Sequence, residues 1–108
     1  WAFVEVSASW VPYAMNDLSV RYAKQGIPWA GRELLAERNI FVAVQTADDI
    51  DYIVTTAGED NLVIGTDYGH NDTSTELRAL TNLRNNGGLD PILADKILDK
   101  NPCRLYSL

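Results

Sequence analysis

One short stretch, residues 61–70, carries the side chains best suited to chemistry, in the order Asn-Leu-Val-Ile-Gly-Thr-Asp-Tyr-Gly-His. Residues 62–64 form a continuous apolar run, which is typical of a strand covered on both faces in a parallel sheet. Asp67 would then follow the strand at the carboxyl edge of the sheet, where α/β folds place their ligands. We therefore take Asp67 as the first candidate for chemistry, with a helix cap or turn as its alternative role.

Other side chains could share such a site. Tyr68 either lines a pocket or packs beneath one, and His70, the only histidine, is by itself an ordinary loop residue. Near the start of the chain, a strand pattern over residues 2–6 includes Glu5 and is followed by Ser-Ala-Ser at positions 7–9. These small residues would let a backbone or a ligand approach closely.

Composition excludes several classes of partner. The chain has 108 residues and a net charge of −6, and its nine basic residues are scattered. This argues against nucleic acid or an anionic membrane surface as the main partner, because both require clustered Lys and Arg. No apolar stretch approaches the roughly 18 residues of a membrane-spanning helix. Cys103 is the only cysteine, which excludes an internal disulfide and favours a reducing, cytoplasmic setting.

Strand and helix patterns alternate along the chain. Strands are predicted over residues 2–6, 40–44 and 62–64, and helices over 10–24, 32–38, from about 46 to 57, from about 73 to 84 and from 91 to 100. Such alternation argues for an α/β fold with parallel strands joined by helical crossovers. We expect one structural unit over residues 1–108.

Several helix ends have specific signals. Thr46 is expected to cap the third helix, with Asp48 and Asp49 in its first turn. Thr73 and Glu76 have the spacing of a capping box. This fourth helix should turn Leu77, Leu80 and Leu83 inward, and the last should do so with Ile92, Leu93, Ile97 and Leu98.

The last helix has a start signal and a stop signal. Asp90 before Pro91 gives a cap followed by a first-turn proline. Asn101 and Pro102 are expected to end the helix, leaving a short turn at residues 104–106.

Three short apolar parallel strands make a poor complete sheet, because both edge strands leave backbone groups unpaired. They suit the interior of a larger sheet or barrel, whose eight β-α units need about 250 residues. The chain also opens at Trp1 inside a strand pattern, without an initiator Met. We therefore expect a portion of a longer protein. Its open edges would favour a homo-oligomer or edge-to-edge association.

Three separated motifs resemble the amidohydrolase-related family of metal-dependent TIM barrels. They are Glu-Val-Ser-Ala-Ser-Trp-Val-Pro-Tyr at 5–13, the 61–70 stretch, and Lys-Ile-Leu-Asp-Lys-Asn-Pro-Cys-Arg-Leu-Tyr at 96–106. The resemblance implies the C-terminal portion of a (β/α)8 barrel, about three β-α units. It also implies a hydrolase that uses a divalent metal, usually zinc, to activate water. A small-molecule substrate is implied as well.

The resemblance also implies roles for individual residues. Asp67 matches the family's aspartate that binds the metal and accepts a proton from the activated water. His70, Tyr68 and Trp10 would lie at the substrate pocket. Glu5 lies close to where some members carry a metal-binding histidine, and its alternative role is to form a salt bridge or to support a metal ligand. The sequence departs from the family pattern at Gly69, where proline is commoner.

Most of the family's metal ligands are histidines that this chain lacks, since His70 is its only histidine. A zinc site needs three or four protein ligands. We therefore expect this polypeptide alone to bind no metal tightly and to be inactive. The alternatives are a decarboxylase of the same family and a non-catalytic α/β module that pairs its open edges with another copy.

Overall fold

Three parallel strands lie at the centre of the computed structural model, which describes residues 1–67, 69, 75–85 and 88–108. The strands are β1 (Ala2–Phe3), β2 (Phe41–Val44) and β3 (Leu62–Ile64). The helices are α1 (Val11–Lys24), α2 (Leu34–Glu37), α3 (Ile50–Ala57), α4 (Ala79–Asn85), α5 (Pro91–Asp95) and α6 (Asn101–Tyr106). A 3₁₀ turn (Gly31–Glu33) precedes α2, and a π-helical segment (Lys96–Lys100) joins α5 to α6.

The sheet has the strand order β1-β2-β3 and both pairings are parallel. Phe3 lies opposite Val42, which in turn lies opposite Leu62. Because all three strands run the same way, the loops that follow them meet at one edge of the sheet. The predicted α/β class and parallel pairing are confirmed, as a small open sheet compatible with a partial α/β unit.

One face of the sheet is covered by helices. Val42, Val44 and Leu62 point to this face and form the main core with side chains of α1, α2, α3, α4, α5 and the π-helical segment. The residues contributed by the helices include Val11, Met15, Leu34, Leu35, Ile50, Ile53, Leu83, Leu93 and Ile97. Val11 and Met15 of α1, and Ile50, Ile53 and Ala57 of α3, recur every three or four residues, which is the spacing of one helix face.

The other face of the sheet has a smaller cluster. Phe41, Ala43 and Val63 are buried there, with Leu105 of α6 packed against them. The guanidinium carbon of Arg104 lies 5.2 Å from the centre of the Phe41 ring. Both faces of the central strand are thus buried, as its continuous apolar sequence predicted.

The first strand is shorter than predicted, since it ends at Phe3 rather than at residue 6. The chain then bends, and the Val4 carbonyl oxygen passes 3.3 Å from where a Cβ of Gly65 would stand. Ser7 continues the bend with a left-handed backbone, φ 55°. Glu5 therefore lies in a loop and not in a strand. The chain leaves the sheet after Phe3, and Ser7 and Ala8 then donate hydrogen bonds to Asp48 in the loop after β2.

The start of α3 also differs from the prediction. Asp49, rather than Thr46, is the N-cap, and its carboxylate accepts from the Tyr52 N–H at 3.1 Å. Asp48 lies before the cap and outside the first turn. Both Thr46 and Asp48 instead bind residues distant in the sequence, which no local capping pattern can reveal. Gly58 ends the helix, as predicted.

The fourth helix begins later than its predicted capping box implies. It starts at Ala79, and Leu77 and Leu80 are exposed, so only Leu83 of the predicted stripe is buried. Thr73 lies outside the described residues. Glu76, its predicted partner, binds Thr46 across the sheet edge.

The predicted stop at Asn101 and Pro102 is wrong, because helical structure continues from Pro91 to Tyr106. Pro102 lacks an N–H, but it lies in the first turn of α6, directly after the π-helical segment, where a proline is tolerated. The Asn101 side chain is buried and donates to the carbonyl oxygens of Glu59 and Leu62 at 2.8 and 2.7 Å. The start signal is confirmed, since Asp90 caps α5. Ile92, however, is exposed.

None of the helices in the described part of the chain combines the length and apolar character that crossing a bilayer requires.

Candidate functional site at the carboxyl edge of the sheet

A cavity of about 130 Å³ opens at the carboxyl edge of the sheet. It is lined by residues at the end of β2 and by residues that follow each of the three strands: Val4, Glu5, Val6, Ser7, Ala43, Val44, Gln45, Gly65 and Asp67. The parallel pairing brings these segments together although up to 63 positions separate them in the sequence. The structure thus places Asp67 and Glu5 at one cavity. A complete pocket for a small molecule has about 300 Å³ or more, so this cavity is a partial one.

Asp67 has an unusual backbone. It is half-buried, and its φ of 51° lies in the left-handed region, which few residues other than glycine adopt. The Thr75 hydroxyl donates to its carbonyl oxygen at 3.2 Å. Aspartate tolerates this conformation better than most residues. Backbone strain of this kind is concentrated at functional sites, which motivates a functional hypothesis for Asp67.

Gly65 lines the cavity at a point where the backbone after β1 passes close to it. A Cβ at this position would lie 3.3 Å from the Val4 carbonyl oxygen and 3.4 Å from the Ala43 Cβ. The absence of a side chain lets the segment after β1 approach the end of β3. Gly65 therefore brings the residues after β1 close to Asp67.

Asp48 joins the loops after β1 and β2. Its Oδ1 accepts from the hydroxyls of Ser7 and Ser9 at 2.5 and 2.6 Å. Its Oδ2 accepts from the N–H groups of Ala8 and Gln45 at 3.0 and 2.8 Å. One carboxylate thus accepts four hydrogen bonds. Three come from residues about forty positions earlier in the sequence, and one comes from Gln45, three positions earlier.

These contacts determine the charge state of Asp48. Burial raises the pKa of the carboxyl, and the hydrogen bonds from Gln45, Ser7, Ser9 and Ala8 lower it by more, so that the pKa lies below its ordinary value. The carboxylate is therefore ionised at neutral pH, which strengthens its hydrogen bonds.

Glu76 makes the corresponding link between the loops after β2 and β3. The Thr46 hydroxyl donates to its Oε2, and the Asn82 amide donates to its Oε1 at 2.6 Å. The Glu76 N–H donates to the Thr66 carbonyl oxygen at 3.0 Å. Glu76 thus ties the segment that leads into Asp67 to the loop after β2.

Among the described residues, the side chains at the cavity fall short of the three or four protein ligands of a zinc site. Asp67 and Glu5 are carboxylates at the cavity, and carboxylate oxygen is an accepted zinc ligand. Within residues 1–67, 69, 75–85 and 88–108, no group of three or more His, Cys, Asp or Glu side chains could hold a metal ion. A zinc site here would need further ligands from outside the described residues.

Three residues were predicted to line the substrate pocket, and the structure describes one of them, Trp10. Trp10 is not among the residues that line the cavity. Its Nε1 donates to the Ser7 carbonyl oxygen at 2.9 Å, and its ring packs edge-on against Phe3 at 5.3 Å between centroids. Trp10 therefore supports the loop after β1. Tyr68 and His70 lie outside the described residues.

Sequence reasoning gave no role at the site to Gln45 or Asp48, and it gave Ser7 only a general one. The small residues at positions 7–9 did signal a close approach, and the structure puts Ser7 at the cavity. Nothing local distinguishes Asp48 from its neighbour Asp49: both were expected in the first turn of α3, and the structure makes Asp49 the N-cap.

No protein-family model matches the sequence, and no curated protein matches it at a significant level.

Proposed function

We propose that the chain is the C-terminal portion of a metal-dependent hydrolase of the amidohydrolase-related family. In this proposal Asp67 is a metal ligand and a proton acceptor. One observation carries it: Asp67 and Glu5 line one cavity where three parallel strands end. The strands are adjacent in chain order, which is the arrangement of neighbouring strands in a (β/α)8 barrel.

The chemistry follows from the donors that the cavity offers. A divalent metal bound at this edge would supply an acidified water for attack on an amide, ester or lactone of a small molecule. Asp67 would help to hold the ion and would accept a proton from the water. Glu5, which lines the same cavity, would act either as a further ligand or as an acceptor for a ligand's hydrogen bond. Other ligands would come from barrel strands that precede this segment.

Decarboxylation within the same family is the second activity to consider. It would require an arginine or histidine clamp for a substrate carboxylate. The described lining residues offer carboxylates, the Ser7 hydroxyl and the Gln45 amide, so a clamp would come from elsewhere. The reducing, cytoplasmic setting favoured by Cys103, which is half-buried in α6, stays a prediction.

The test measures metal content by elemental analysis on this chain and on a form extended by the preceding barrel strands. Asp67→Asn is the informative variant, because asparagine tolerates the left-handed backbone and removes the charge. Alanine would confound loss of a ligand with backbone strain. We expect about one metal per extended chain and a loss of most of it in Asp67→Asn.

Asp49→Asn is the matched control, since asparagine caps a helix as well as aspartate does. It should leave the metal content unchanged. If the extended form binds no metal, or if Asp67→Asn retains it, the hydrolase assignment fails and Asp67 is a turn residue.

A further inference from the structure

The loops after the three strands are linked in series by carboxylates. Asp48 joins the loop after β1 to the loop after β2 through four hydrogen bonds. Glu76 accepts from Thr46, which lies in the same loop after β2, and its N–H binds Thr66 next to Asp67. The two sides of the cavity are therefore connected through the loop between them.

The anchoring of Ser7 shows how the link acts on the cavity. Ser7 lines the cavity, has a left-handed backbone and donates to Asp48. The next residue, Ala8, is fully buried, and its carbonyl oxygen accepts from the Val11 N–H at the start of α1. Asp48 thus fixes a strained segment between the sheet and a helix. Without the carboxylate, the Ala8 and Gln45 N–H groups would lose their acceptor.

We propose that Asp48 is a positioning residue that holds the loops after β1 and β2 in register, so that the cavity beside Asp67 has its shape before a ligand binds. Preorganisation of this kind removes the cost of ordering loops when a ligand arrives. The linkage of the loops is independent of the hydrolase assignment. Its effect on metal affinity rests on the proposed function.

The arrangement of donors makes a sharp test possible. Two backbone N–H groups face Oδ2, and two hydroxyls, which can also accept, face Oδ1. Asparagine can therefore keep the link, with its carbonyl oxygen toward the N–H groups and its amide toward Ser7 and Ser9. Alanine removes every bond. A positioning role predicts that Asp48→Ala breaks the link and that Asp48→Asn preserves it.

The first measurement is amide hydrogen exchange by NMR on the 108-residue chain. In Asp48→Ala, the Ala8 and Gln45 amides should exchange roughly tenfold or more faster, as expected for the loss of a charge-assisted hydrogen bond. The Val42 amide, which bonds the Asn61 carbonyl inside the sheet, should be affected much less. Asp48→Asn should restore most of the protection.

Asp51→Ala is the control, because Asp51 is an exposed residue in the first turn of α3. It should leave the Ala8 and Gln45 amides unchanged. The proposal is overturned if these amides exchange equally fast with and without Asp48. It is also overturned if Val42 accelerates by the same factor, since that result indicates a general loss of stability.

The second measurement connects the link to metal binding in the extended form. Asp48→Ala should weaken metal affinity roughly tenfold, in the range found for residues that orient metal ligands, and Asp48→Asn should recover it. Unchanged affinity in Asp48→Ala would overturn the positioning role at the site. Absence of metal from the unsubstituted extended form would instead contradict the proposed function, and the exchange experiment would still decide whether the loops are linked.

Discussion

At the scale of single residues, the aspartates of this chain differ in role far more than their sequence context suggests. Asp48 and Asp49 are neighbours, yet their roles differ. Asp48 accepts four hydrogen bonds, three of them from the loop after β1, whereas Asp49 caps a helix. The role of Asp49 is local, because its partner Tyr52 lies three residues away, although the capping pattern placed the cap at Thr46 instead. The partners of Asp48 in the loop after β1 become neighbours only when the sheet forms. Sequence therefore predicts local roles well and tertiary hydrogen bonds poorly.

Asp67 shows what sequence could predict at the site. Its place after an apolar run predicted the carboxyl edge of the sheet, and the structure puts it there, at a cavity. The left-handed backbone was not predicted, because aspartate is compatible with several turn conformations. Its role as a metal ligand stays a prediction that the metal analysis tests.

The charge of Asp48 predicts how the free energy of unfolding depends on pH. The pKa of this carboxyl is lowered in the folded chain, whereas the unfolded value is about 3.9. Its contribution is therefore complete above the unfolded pKa and is lost as the pH falls through the folded pKa. We expect urea unfolding to show a decline in stability below about pH 4.

Asp48→Asn, which carries no charge at any pH, should flatten this decline. Part of it should remain, because the hydrogen bond from Lys96 also lowers the pKa of Asp60. Identical profiles for the unsubstituted chain and Asp48→Asn would show that Asp48 gains no stability from its ionised form.

At the scale of elements, apolar runs and helical spacing predicted the strands and most of the helices. The apolar runs in β2 and β3 are too short for helices and rich in β-branched residues, and both features predict strands. Predictions failed where a polar side chain had a distant partner. Asn101 before Pro102 has the sequence of a helix end, but its amide is buried under β3 and the helix continues.

Asn101 should therefore contribute substantially to stability. Asn101→Ala removes both donors and leaves the Glu59 and Leu62 carbonyl oxygens without this partner, which should cost about 2 kcal/mol in the free energy of unfolding. Urea denaturation followed by circular dichroism measures the loss. Asn16→Ala, at an exposed position of α1, should change stability by less than about 0.5 kcal/mol. An equally small effect at Asn101 would show that the helix does not depend on this contact.

At the scale of the whole molecule, the described structure is extended and its sheet is open. The radius of gyration is 14.3 Å, compared with about 13 Å for a compact domain of this length. In the described part of the chain, β1 pairs with β2 alone, so β1 and β3 are both edge strands. Composition and periodicity could predict the open sheet, since three interior-type strands cannot cover each other's edges. They could not predict what covers those edges.

The exposed edge at β1 predicts association between chains. Trp1 is 91 % exposed and directly precedes the edge strand β1, and the nearby side chains of Phe3, Val4 and Val6 are also exposed. Size-exclusion chromatography with light scattering should show a mass that increases with concentration. A lysine at such an edge opposes pairing, because its charge would be buried. Trp1→Lys should therefore shift the chain toward the monomer.

The substituted side chain at Trp1 leaves the backbone contact intact, since the Trp1 carbonyl oxygen accepts from the Phe41 N–H at 2.8 Å. Tyr106→Lys provides the matched control, because Tyr106 is 66 % exposed on α6 and not on β1. It should leave association unchanged. A chain that remains monomeric at every concentration would contradict edge pairing. Equal effects of both substitutions would indicate non-specific association, because pairing through the β1 edge should depend on Trp1 and not on Tyr106.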